Sequence, residues 1–409
     1  MQELVERGAG LDIGSKVIVA CVLTGAAGTR PSKHSRTFGT MTADLADLHR
    51  WLGEHRCTRV AMESTGVYWM PVYSALEESF EIVVGNAQRI KNVPGRKTDV
   101  KDSEWLADLL RHGLIASSFV PPKAIRWLRD LLRYRKRAVE ARNAEKNRLI
   151  KVLEQSNIKL ASVASDVFGA SGIQMLRLIA GGETDSEKLA NVAKGRLRNK
   201  LRELARALEG RVQEHHRFLL RQQLRRLDHF DADLGELDVY IDRLLEPYRA
   251  QHKLLMQMPG VSWLVAAAVI SEIGVDMNVF PTAQHLASWA ALCPGNWESA
   301  GKRKNAPTRK GNVYLRTTLV QAAHAAAKKK KSYWRAKFQR LRSRRGTKRA
   351  AVAIAHKMIV AIWHMLKYGH DYADLGENHL DRINTQRTAR NLVRRLQSLG
   401  YEVTIEKAA

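Results

Sequence analysis

The sequence predicts an α/β domain at the N-terminus, followed by a long helical arm and a mostly helical C-terminal region. In the first 120 residues, β-branched runs typical of strands alternate with helical periods. From Pro122 this alternation ends, and residues 124–154 contain neither glycine nor proline, which predicts one long helix. A second leucine-rich stretch, at residues 196–245, follows a looser connector. Two such stretches joined by a connector predict an antiparallel helical arm.

The remaining elements are short. We predict strands at residues 17–23, 35–40, 59–62 and 81–84, and helices at residues 44–54, 69–78 and 99–112. Residues 86–98 are basic and contain Pro94-Gly95, which predicts a loop. Beyond the arm, we predict helical regions at residues 254–292 and 314–367 on either side of a loop at residues 293–312. A helix at residues 385–398 and a strand at residues 401–406 complete the prediction.

These patterns divide the chain into four segments. Residues 1–120 form the α/β domain, residues 121–250 the arm, residues 251–375 the C-terminal domain and residues 376–409 a tail. Three cysteines lie far apart in sequence, which argues against a disulfide framework or a cysteine-rich zinc site. A polar start and the lack of a continuous apolar run of about 18 residues argue against a signal peptide and a membrane helix. We therefore expect a cytoplasmic protein with no membrane partner.

The charge balance predicts the class of partner. The chain has 68 Lys and Arg against 41 Asp and Glu, a formal net charge of +27, which favours polyanions and above all nucleic acid. Residues 301–370 contain no acid, and Trp334 and Phe338 stand among their cations. So long a run without acids favours phosphate binding over a solvated face. The cations that we predict to bind nucleic acid are Arg96, Lys97, Lys302, Arg303, Lys304, Arg309, Lys310, Arg316, Lys328, Lys329, Lys330 and Lys331.

Four carboxylates are candidates for chemistry. Asp12 is placed at the start of a predicted strand and Glu63 at the end of another, while Asp99 and Asp102 share one face at the start of a predicted helix. If these positions converge, the charges repel one another unless a cation binds. Mg²⁺ prefers such hard oxygen ligands, and two ions about 4 Å apart could clamp a scissile phosphate. The alternative is that each acid is an ordinary turn or cap residue.

Ser299 is the second candidate. It lies in the small-residue loop that begins at Cys293-Pro294-Gly295, directly before Lys302-Arg303-Lys304. A serine hydroxyl needs a base or strong electrostatics to act as a nucleophile, and these cations could stabilise charge on a phosphate under attack. The alternative is again a turn or cap residue, because no hydrolase motif surrounds it. Pro259-Gly260-Val261 lies between helical stretches and predicts either a helix-hairpin-helix element or an ordinary turn.

The order and spacing of these motifs resemble a known family. The N-terminal motifs are Leu11-Asp12-Ile13-Gly14, Met62-Glu63-Ser64-Thr65-Gly66 and Lys97-Thr98-Asp99-Val100-Lys101-Asp102. The C-terminal ones are Pro259-Gly260-Val261, Cys293-Pro294-Gly295, Ser299-Ala300-Gly301-Lys302 and Arg309-Lys310-Gly311-Asn312. Together they resemble the DEDD transposases of the insertion sequence 110 family, which are also called bridge-RNA-guided recombinases. The family commonly has Ala where this chain has Ser103, which is not a ligand position.

The resemblance implies a fold and a mechanism. It implies an RNase H-like (RuvC-like) N-terminal domain in which Asp12, Glu63, Asp99 and Asp102 hold Mg²⁺, in the form of two ions. It implies a coiled-coil arm that holds a dimer or tetramer, and a C-terminal transposase domain. There Ser299 would attack a DNA phosphate and form a covalent phosphoserine link, working with the metal site of another subunit. It also implies a structured guide RNA that pairs with donor and target DNA, and a location on the nucleoid.

Two other functions remain open from the residues. A metal-dependent RuvC-like nuclease that acts by hydrolysis needs only the four acids, so that Ser299 would be dispensable. A non-enzymatic architectural nucleic-acid binder needs only the cations and helices, and would tolerate the loss of Asp12. Neither of these alternatives explains the serine loop.

Overall fold

The computed structural model of the chain describes residues 4–26, 28–64, 66–87, 90, 102–295, 298–299, 301–303, 308, 311–383 and 385–406. For residues 298, 299, 302 and 303 only the backbone is considered. The chain forms two compact units, Met1–Val120 and Pro121–Ala409. The predicted α/β region followed by a mostly helical chain is confirmed. The further division at residues 250 and 375 stays a prediction.

A mixed β-sheet forms the centre of the first unit. Its strands in the described residues are β1 (Arg7–Ile13), β2 (Ile18–Thr24), β3 (Ser32–Phe38), β4 (Arg59–Glu63) and β5 (Glu81–Gly85), in the spatial order β3-β2-β1-β4-β5. The first three strands are antiparallel neighbours, whereas β4 runs parallel to β1 and β5 runs parallel to β4. The central position of β1 therefore brings its end beside the end of β4, which runs in the same direction.

Both faces of this sheet carry helices. Helices α1 (Thr42–Glu54) and α2 (Trp69–Leu76) pack on one face, where Leu11 and Met62 are buried. Helix α3 (Asp102–Arg111) packs on the other face, where Leu106, Leu109 and Leu110 contact Ala61. Burial on both sides explains why the central strands have apolar residues at successive positions.

The structure corrects the prediction for the start of the chain. We placed Asp12 at the start of a strand, but β1 begins at Arg7, so that Asp12 is its last residue but one. The segment Gly8-Ala9-Gly10 has the glycines of a turn, but here they serve packing. A Cβ on Gly10 would lie 2.1 Å from the backbone oxygen of Ser103 and 2.4 Å from the backbone nitrogen of Ala107. Only glycine lets α3 approach β1 so closely.

Two other predictions for the first unit differ in their bounds. The strand predicted at residues 35–40 is Ser32–Phe38, since its pairing with β2 starts at Ser32 and stops at Phe38. The loop predicted at residues 86–98 and the start of the helix predicted at residues 99–112 fall largely on residues 88–89 and 91–101, which lie outside the described residues. The described part of that helix is α3.

Two long antiparallel helices form the arm that the sequence predicts in the second unit. They are α4 (Lys123–Gln155) and α9 (Glu214–Leu244). Three ion pairs join them, Arg135–Asp238, Arg142–Asp231 and Arg226–Glu145. The residue numbers rise along α4 as they fall along α9, so the two helices are antiparallel. Between them lie α5 (Leu160–Val163), α6 (Ala170–Gly181), α7 (Ser186–Asn191), a 3₁₀ turn (Gly195–Lys200) and α8 (Leu201–Leu208). These short helices share one apolar core with the ends of α4 and α9.

The rest of the second unit is also helical. After a 3₁₀ turn (Glu246–Tyr248) come α10 (Arg249–Met256), α11 (Trp263–Ile273), a 3₁₀ turn (Met277–Val279) and α12 (Ala283–Trp289). A two-stranded hairpin, β6 (Glu298–Ser299) and β7 (Lys302–Arg303), precedes α13 (Val313–Ala326), α14 (Tyr333–Arg345), α15 (Thr347–Tyr368), α16 (His379–Arg382) and α17 (Thr385–Gln397). The strand predicted at residues 401–406 does not form.

Helix α15 is long and apolar enough, by length and composition, to cross a membrane. It packs against α12, α13 and α14, and nine of its residues are buried there. Such packing is that of a core helix in a helical bundle.

We expect Gly10→Ala to destabilise the first unit by about 1–3 kcal/mol or more, because the added Cβ must push the backbone of α3 away from β1. The matched control is Gly53→Ala in α1, where an added Cβ meets nothing within 4 Å and alanine favours the helix. The unfolding temperature of each variant checks this. An unchanged temperature for Gly10→Ala would contradict the packing described here.

Candidate active site

Two acidic side chains lie next to each other at one end of the sheet. In the parallel pairing of β1 with β4, Leu11 stands opposite Met62, so the next positions, Asp12 and Glu63, are aligned at the ends of adjacent strands. Because side chains alternate along a strand, both acids lie on the sheet face opposite to Leu11 and Met62. That is the face on which α3 packs.

Asp102 brings a third carboxylate to this end of the sheet. It is the first residue of α3, directly before Ser103, whose backbone lies against Gly10 of β1. Partial burial and then the negative charge of Asp102 raise the pKa of Asp12. The close approach of α3 to β1 at Gly10 thus determines where Asp102 stands relative to Asp12.

The fourth predicted acid, Asp99, lies outside the described residues. Among the described residues, no group of three or more His, Cys, Asp or Glu side chains is arranged to hold a metal ion. The three described acids occupy one end of one sheet, and hard oxygen donors of this kind suit Mg²⁺. The assignment of the four acids as metal ligands therefore stays a prediction.

Ser299 lies in a short hairpin. It is the last residue of β6 and pairs with Lys302, while Glu298 pairs with Arg303. Gly301 in the turn has φ +71°, a conformation that glycine adopts without strain. A second antiparallel bridge, between Pro294 and Thr308, closes the base of this segment. The backbone therefore presents Ser299 at the turn of a hairpin beside two cationic residues.

A buried carboxylate that we did not predict lies where this segment ends. Glu272, in α11, is 2% exposed. Arg133 of α4 donates two hydrogen bonds to it, each 2.8 Å long, from Nε to Oε1 and from Nη2 to Oε2. The Nδ2 of Asn312 donates to its Oε2 at 2.6 Å, and Nε of Arg129 lies 3.3 Å from the same oxygen.

This network joins three helices. Asn312, which is bonded to Glu272, also caps α13, since its side-chain oxygen accepts the backbone N–H of Leu315 at 2.9 Å. Arg129 donates to the backbone oxygens of Ser271 and Glu272, which lie in the last turn of α11. Burial lowers the pKa of Arg129 to about 10, and the charge of Glu272 opposes this change. The start of α13, directly after the serine segment, is therefore fixed to both α4 and α11.

The sequence contained a weak signal for Glu272. It is the one acid among the 11 residues of α11, a helix that is otherwise apolar apart from Ser271. A charge at such a position is rarely buried without a partner. The partners lie about 140 positions away in Arg133 and 40 away in Asn312, so the sequence alone does not indicate them.

The predicted nucleic-acid contacts are placed only in part. Lys328, Lys329, Lys330 and Lys331 are exposed around the end of α13, whereas Arg316 is half-buried, with its Nη1 3.5 Å from Oγ1 of Thr308. Only the backbone of Lys302 and Arg303 is described. The remaining five, Arg96, Lys97, Lys304, Arg309 and Lys310, lie outside the described residues. None of the twelve is tested as a nucleic-acid contact.

The Pro259-Gly260-Val261 turn has a structural role. Gly260 has φ +86°, and a Cβ there would lie 2.3 Å from the backbone oxygen of Ala322 and 2.7 Å from the backbone nitrogen of Ala326. The turn thus packs against α13, and this contact by itself accounts for the glycine. The helix-hairpin-helix interpretation stays a prediction.

Comparison with known families agrees with these motifs. Residues 9–158 match the family model of DEDD transposases of IS110, described as "Transposase", and residues 252–339 match "Transposase IS116/IS110/IS902 family". Together the two models match more than half of the chain. The chain belongs to the IS110 family of transposases.

Several curated proteins are similar to this chain. The transposase for insertion sequence element IS1111A of Coxiella burnetii is 33% identical over 125 residues, which are 29% of this chain and 33% of that protein. An uncharacterized 43.6 kDa protein of insertion element IS110 from Streptomyces coelicolor is 34% identical over 140 residues, 33% of each chain. A putative transposase, y4rJ, of Sinorhizobium fredii is 28% identical over 191 residues, 42% of this chain and 47% of that protein.

The matched segments cover between about a third and about a half of the length of these relatives. Within this IS110-family chain, the first family match contains the four candidate acids and the second contains Ser299, Glu272 and Asn312. Residues 340–409 lie beyond both matches.

We expect Glu272→Gln to destabilise the second unit of this chain by about 3–5 kcal/mol, because it leaves the partly buried Arg133 and Arg129 without their counter-charge. Glu140→Gln, at an exposed position on α4, is the matched control and is expected to change stability by less than about 0.5 kcal/mol. Thermal and denaturant unfolding measure both. A loss of unfolding free energy below about 1 kcal/mol for Glu272→Gln would show that this network does not stabilise the second unit to the expected extent.

We expect Asp12→Asn to raise the unfolding temperature slightly at pH 7 without divalent ions. A carboxyl whose pKa is raised by folding favours the folded state below its unfolded pKa, and this contribution is lost as the pH rises through the folded pKa. At pH 7 the ionised Asp12 therefore opposes folding, and asparagine removes that cost. At pH 3 the gain should largely disappear, and calorimetry at both pH values checks the difference. A lower unfolding temperature for the variant at pH 7 would contradict this electrostatic account.

Proposed function

We propose that this protein is the transposase of an insertion sequence, and that it cuts and rejoins DNA strands as a site-specific recombinase. The observation that carries the proposal is the alignment of Asp12 with Glu63 at the ends of parallel strands, with Asp102 at the start of α3 close by. Membership in the IS110 family supports the reaction class. The strand order, with β1 central, supports an RNase H-like assignment for the first unit.

In this proposal, Asp12, Glu63, Asp99 and Asp102 hold Mg²⁺ in the form of two ions. The three described acids offer oxygen donors at one end of the sheet, and the repulsion of Asp12 by Asp102 favours a bound cation. Bound Mg²⁺ would supply Lewis-acid polarisation of the scissile phosphate. The protein's own contribution is to fix the carboxylates on β1, β4 and α3, so that little reorganisation is needed when DNA arrives.

Ser299 is the proposed nucleophile. Its Oγ would form a bond to the phosphorus while the bond from phosphorus to a sugar oxygen breaks, and the hydroxyl proton would pass through solvent to that leaving oxygen. Attack by a sugar hydroxyl on the phosphoserine would then rejoin the strands and release the serine. Lys302, which pairs with Ser299 in the hairpin, and Arg303 would stabilise negative charge on the phosphate.

The partners follow from the same proposal. DNA at the element ends and at the target would bind the cationic surface, whose net charge of +27 favours phosphate. The family resemblance adds a structured guide RNA and assembly into a dimer or tetramer through the α4–α9 arm. In such an assembly the acids of one subunit would act with the serine of another.

We expect Ser299→Ala to reduce the rate of strand exchange at least about a hundredfold, while DNA affinity stays near that of the wild type. The measurement is a denaturant-resistant protein–DNA adduct after co-expression with the flanking DNA of the element and a target. Asp12→Asn should also prevent the adduct. Ser162→Ala, which changes an exposed serine of the arm, is the matched control and should behave as wild type.

The outcomes separate the alternatives. Recombination by Ser299→Ala would refute the nucleophile assignment. Cut DNA without an adduct, formed equally by that variant, would identify a hydrolytic nuclease. DNA binding without cutting or adduct by the wild type, kept unchanged in Asp12→Asn, would leave only an architectural binder. Magnesium binding has its own measure, since millimolar Mg²⁺ should raise the unfolding temperature of the wild type more than that of Asp12→Asn.

A further inference from the structure

Helix α17 (Thr385–Gln397) is a basic amphipathic helix with no buried residue. It lies in residues 340–409, beyond both family matches, so that the known family motifs do not account for it. A helix of 13 residues without buried contacts is marginally stable alone. We therefore expect a partner to stabilise this helix.

The polar and apolar side chains of α17 lie on opposite sides. Arg387, Arg390, Asn391 and Arg394 follow the spacing i, i+3, i+4, i+7, which places them on one face of the helix. They line one shared concave surface, and we call these four residues the arginine face. Leu392 and Leu396 lie on the opposite side and are 57% and 42% exposed.

The segment before α17 is attached to a cationic helix. The carboxylate of Asp381 in α16 pairs with Arg340 of α14, and the ring of His379 contacts that of Tyr333 at a centroid distance of 5.7 Å. The side chain of Asp374 accepts the backbone N–H of Tyr333 at 2.9 Å. Helix α14 contains no acid and six cations, which are Arg335, Lys337, Arg340, Arg342, Arg344 and Arg345. These contacts hold α16, and with it the segment before α17, close to the positive charge of α14.

We propose that the arginine face of α17 binds duplex DNA in the major groove and reads bases there; this proposal rests on the proposed DNA-recombining function. A helix of 13 residues is about 20 Å long, and its width fits the major groove, which is about 12 Å wide. Arginine forms paired hydrogen bonds with guanine, and asparagine does so with adenine. The face combines three arginines with one asparagine, which are the side chains suited to direct base recognition.

Two features favour DNA over other polyanions. The deep and narrow major groove of duplex RNA does not admit side chains for base readout, so an exposed recognition helix fits B-form DNA better. An anionic membrane attracts lysine and arginine alike. This face has arginine as its only type of cation, and Asn391 stands among the arginines. The acid-free residues 301–370 precede this region and add attraction for phosphate.

The test uses the full chain and a labelled pool of random duplex DNA, with rounds of selection followed by sequencing and by anisotropy at several salt concentrations. The first variant carries Arg387→Gln, Arg390→Gln and Arg394→Gln. We expect it to lose at least about tenfold in affinity for the selected DNA and to lower the salt slope by about two to three. The matched control carries Arg196→Gln, Arg198→Gln and Arg202→Gln, which removes the same charge from exposed positions in the arm and should change neither.

A second variant separates base readout from charge. Arg387→Lys, Arg390→Lys and Arg394→Lys keep the charge, so the salt slope should stay near that of the wild type, but the sequence preference of the selected DNA should weaken. An unchanged preference in the lysine variant would overturn base readout. Wild-type affinity in the glutamine variant would overturn the proposal as a whole.

Two other probes complete the test. Loss of binding to phosphatidylserine vesicles or to duplex RNA by the glutamine variant, with DNA affinity intact, would assign the face to those partners and overturn the proposal. These are equilibrium measurements and need no strand transfer. Failure of Ser299→Ala to block recombination would therefore refute the catalytic proposal and leave the result for α17 standing.

Discussion

Glu272 places a negative charge inside an apolar bundle, and the second unit is arranged around the need to neutralise it. An unpaired carboxylate at this depth would cost several kcal/mol. Arg133 of α4 meets it with two parallel hydrogen bonds, Arg129 of the same helix lies beside it, and Asn312 donates to it from the end of the serine segment. Because the partners come from α4 and from the end of the serine segment, neither can shift away from α11 without leaving a buried charge unpaired.

Tyr314 adds to the same contact. Arg133 lies 4.5 Å from its ring centroid and Lys136 lies 4.9 Å from it. Both cations belong to α4, and Tyr314 is the second residue of α13. A cation over an aromatic face adds a modest attraction of about 0.5–1 kcal/mol. The start of α13 is thus fixed to the arm twice, through the carboxylate network and through this ring.

In the first unit, the comparable constraint is the contact between Gly10 and α3. It fixes how closely the helix lies against β1, and therefore how close the charge of Asp102 comes to Asp12. The sequence predicted Glu63 and Asp102 at element ends because both positions have clear local signals. It misplaced Asp12 at the start of a strand, and the contact that requires Gly10 in β1 is with a helix about 95 positions away. Local patterns could not indicate that contact.

The same distinction applies to the second unit. Helix α4 was predicted from its lack of glycine and proline, and α9 was predicted from its leucines, both of which are local properties that favour a helix. The partners of Glu272 were not predicted, because they meet it only where segments that are distant in the sequence come together. The strand expected at residues 401–406 does not form because, among the described residues, it pairs with no neighbouring strand. An isolated β-branched run has no means to satisfy its backbone hydrogen bonds within the chain.

The serine segment is where these distant contacts bear on the proposed function. Loops that carry chemistry are effective when a rigid scaffold positions them. Here the Pro294–Thr308 bridge closes the base, Gly311 lies against the backbone of Trp289, and Asn312 is bonded to Glu272. A Cβ on Gly311 would lie 2.8 Å from the Trp289 backbone oxygen, so this approach also requires glycine. The buried charge therefore acts at the base of the segment, where it fixes the start of α13 through Asn312.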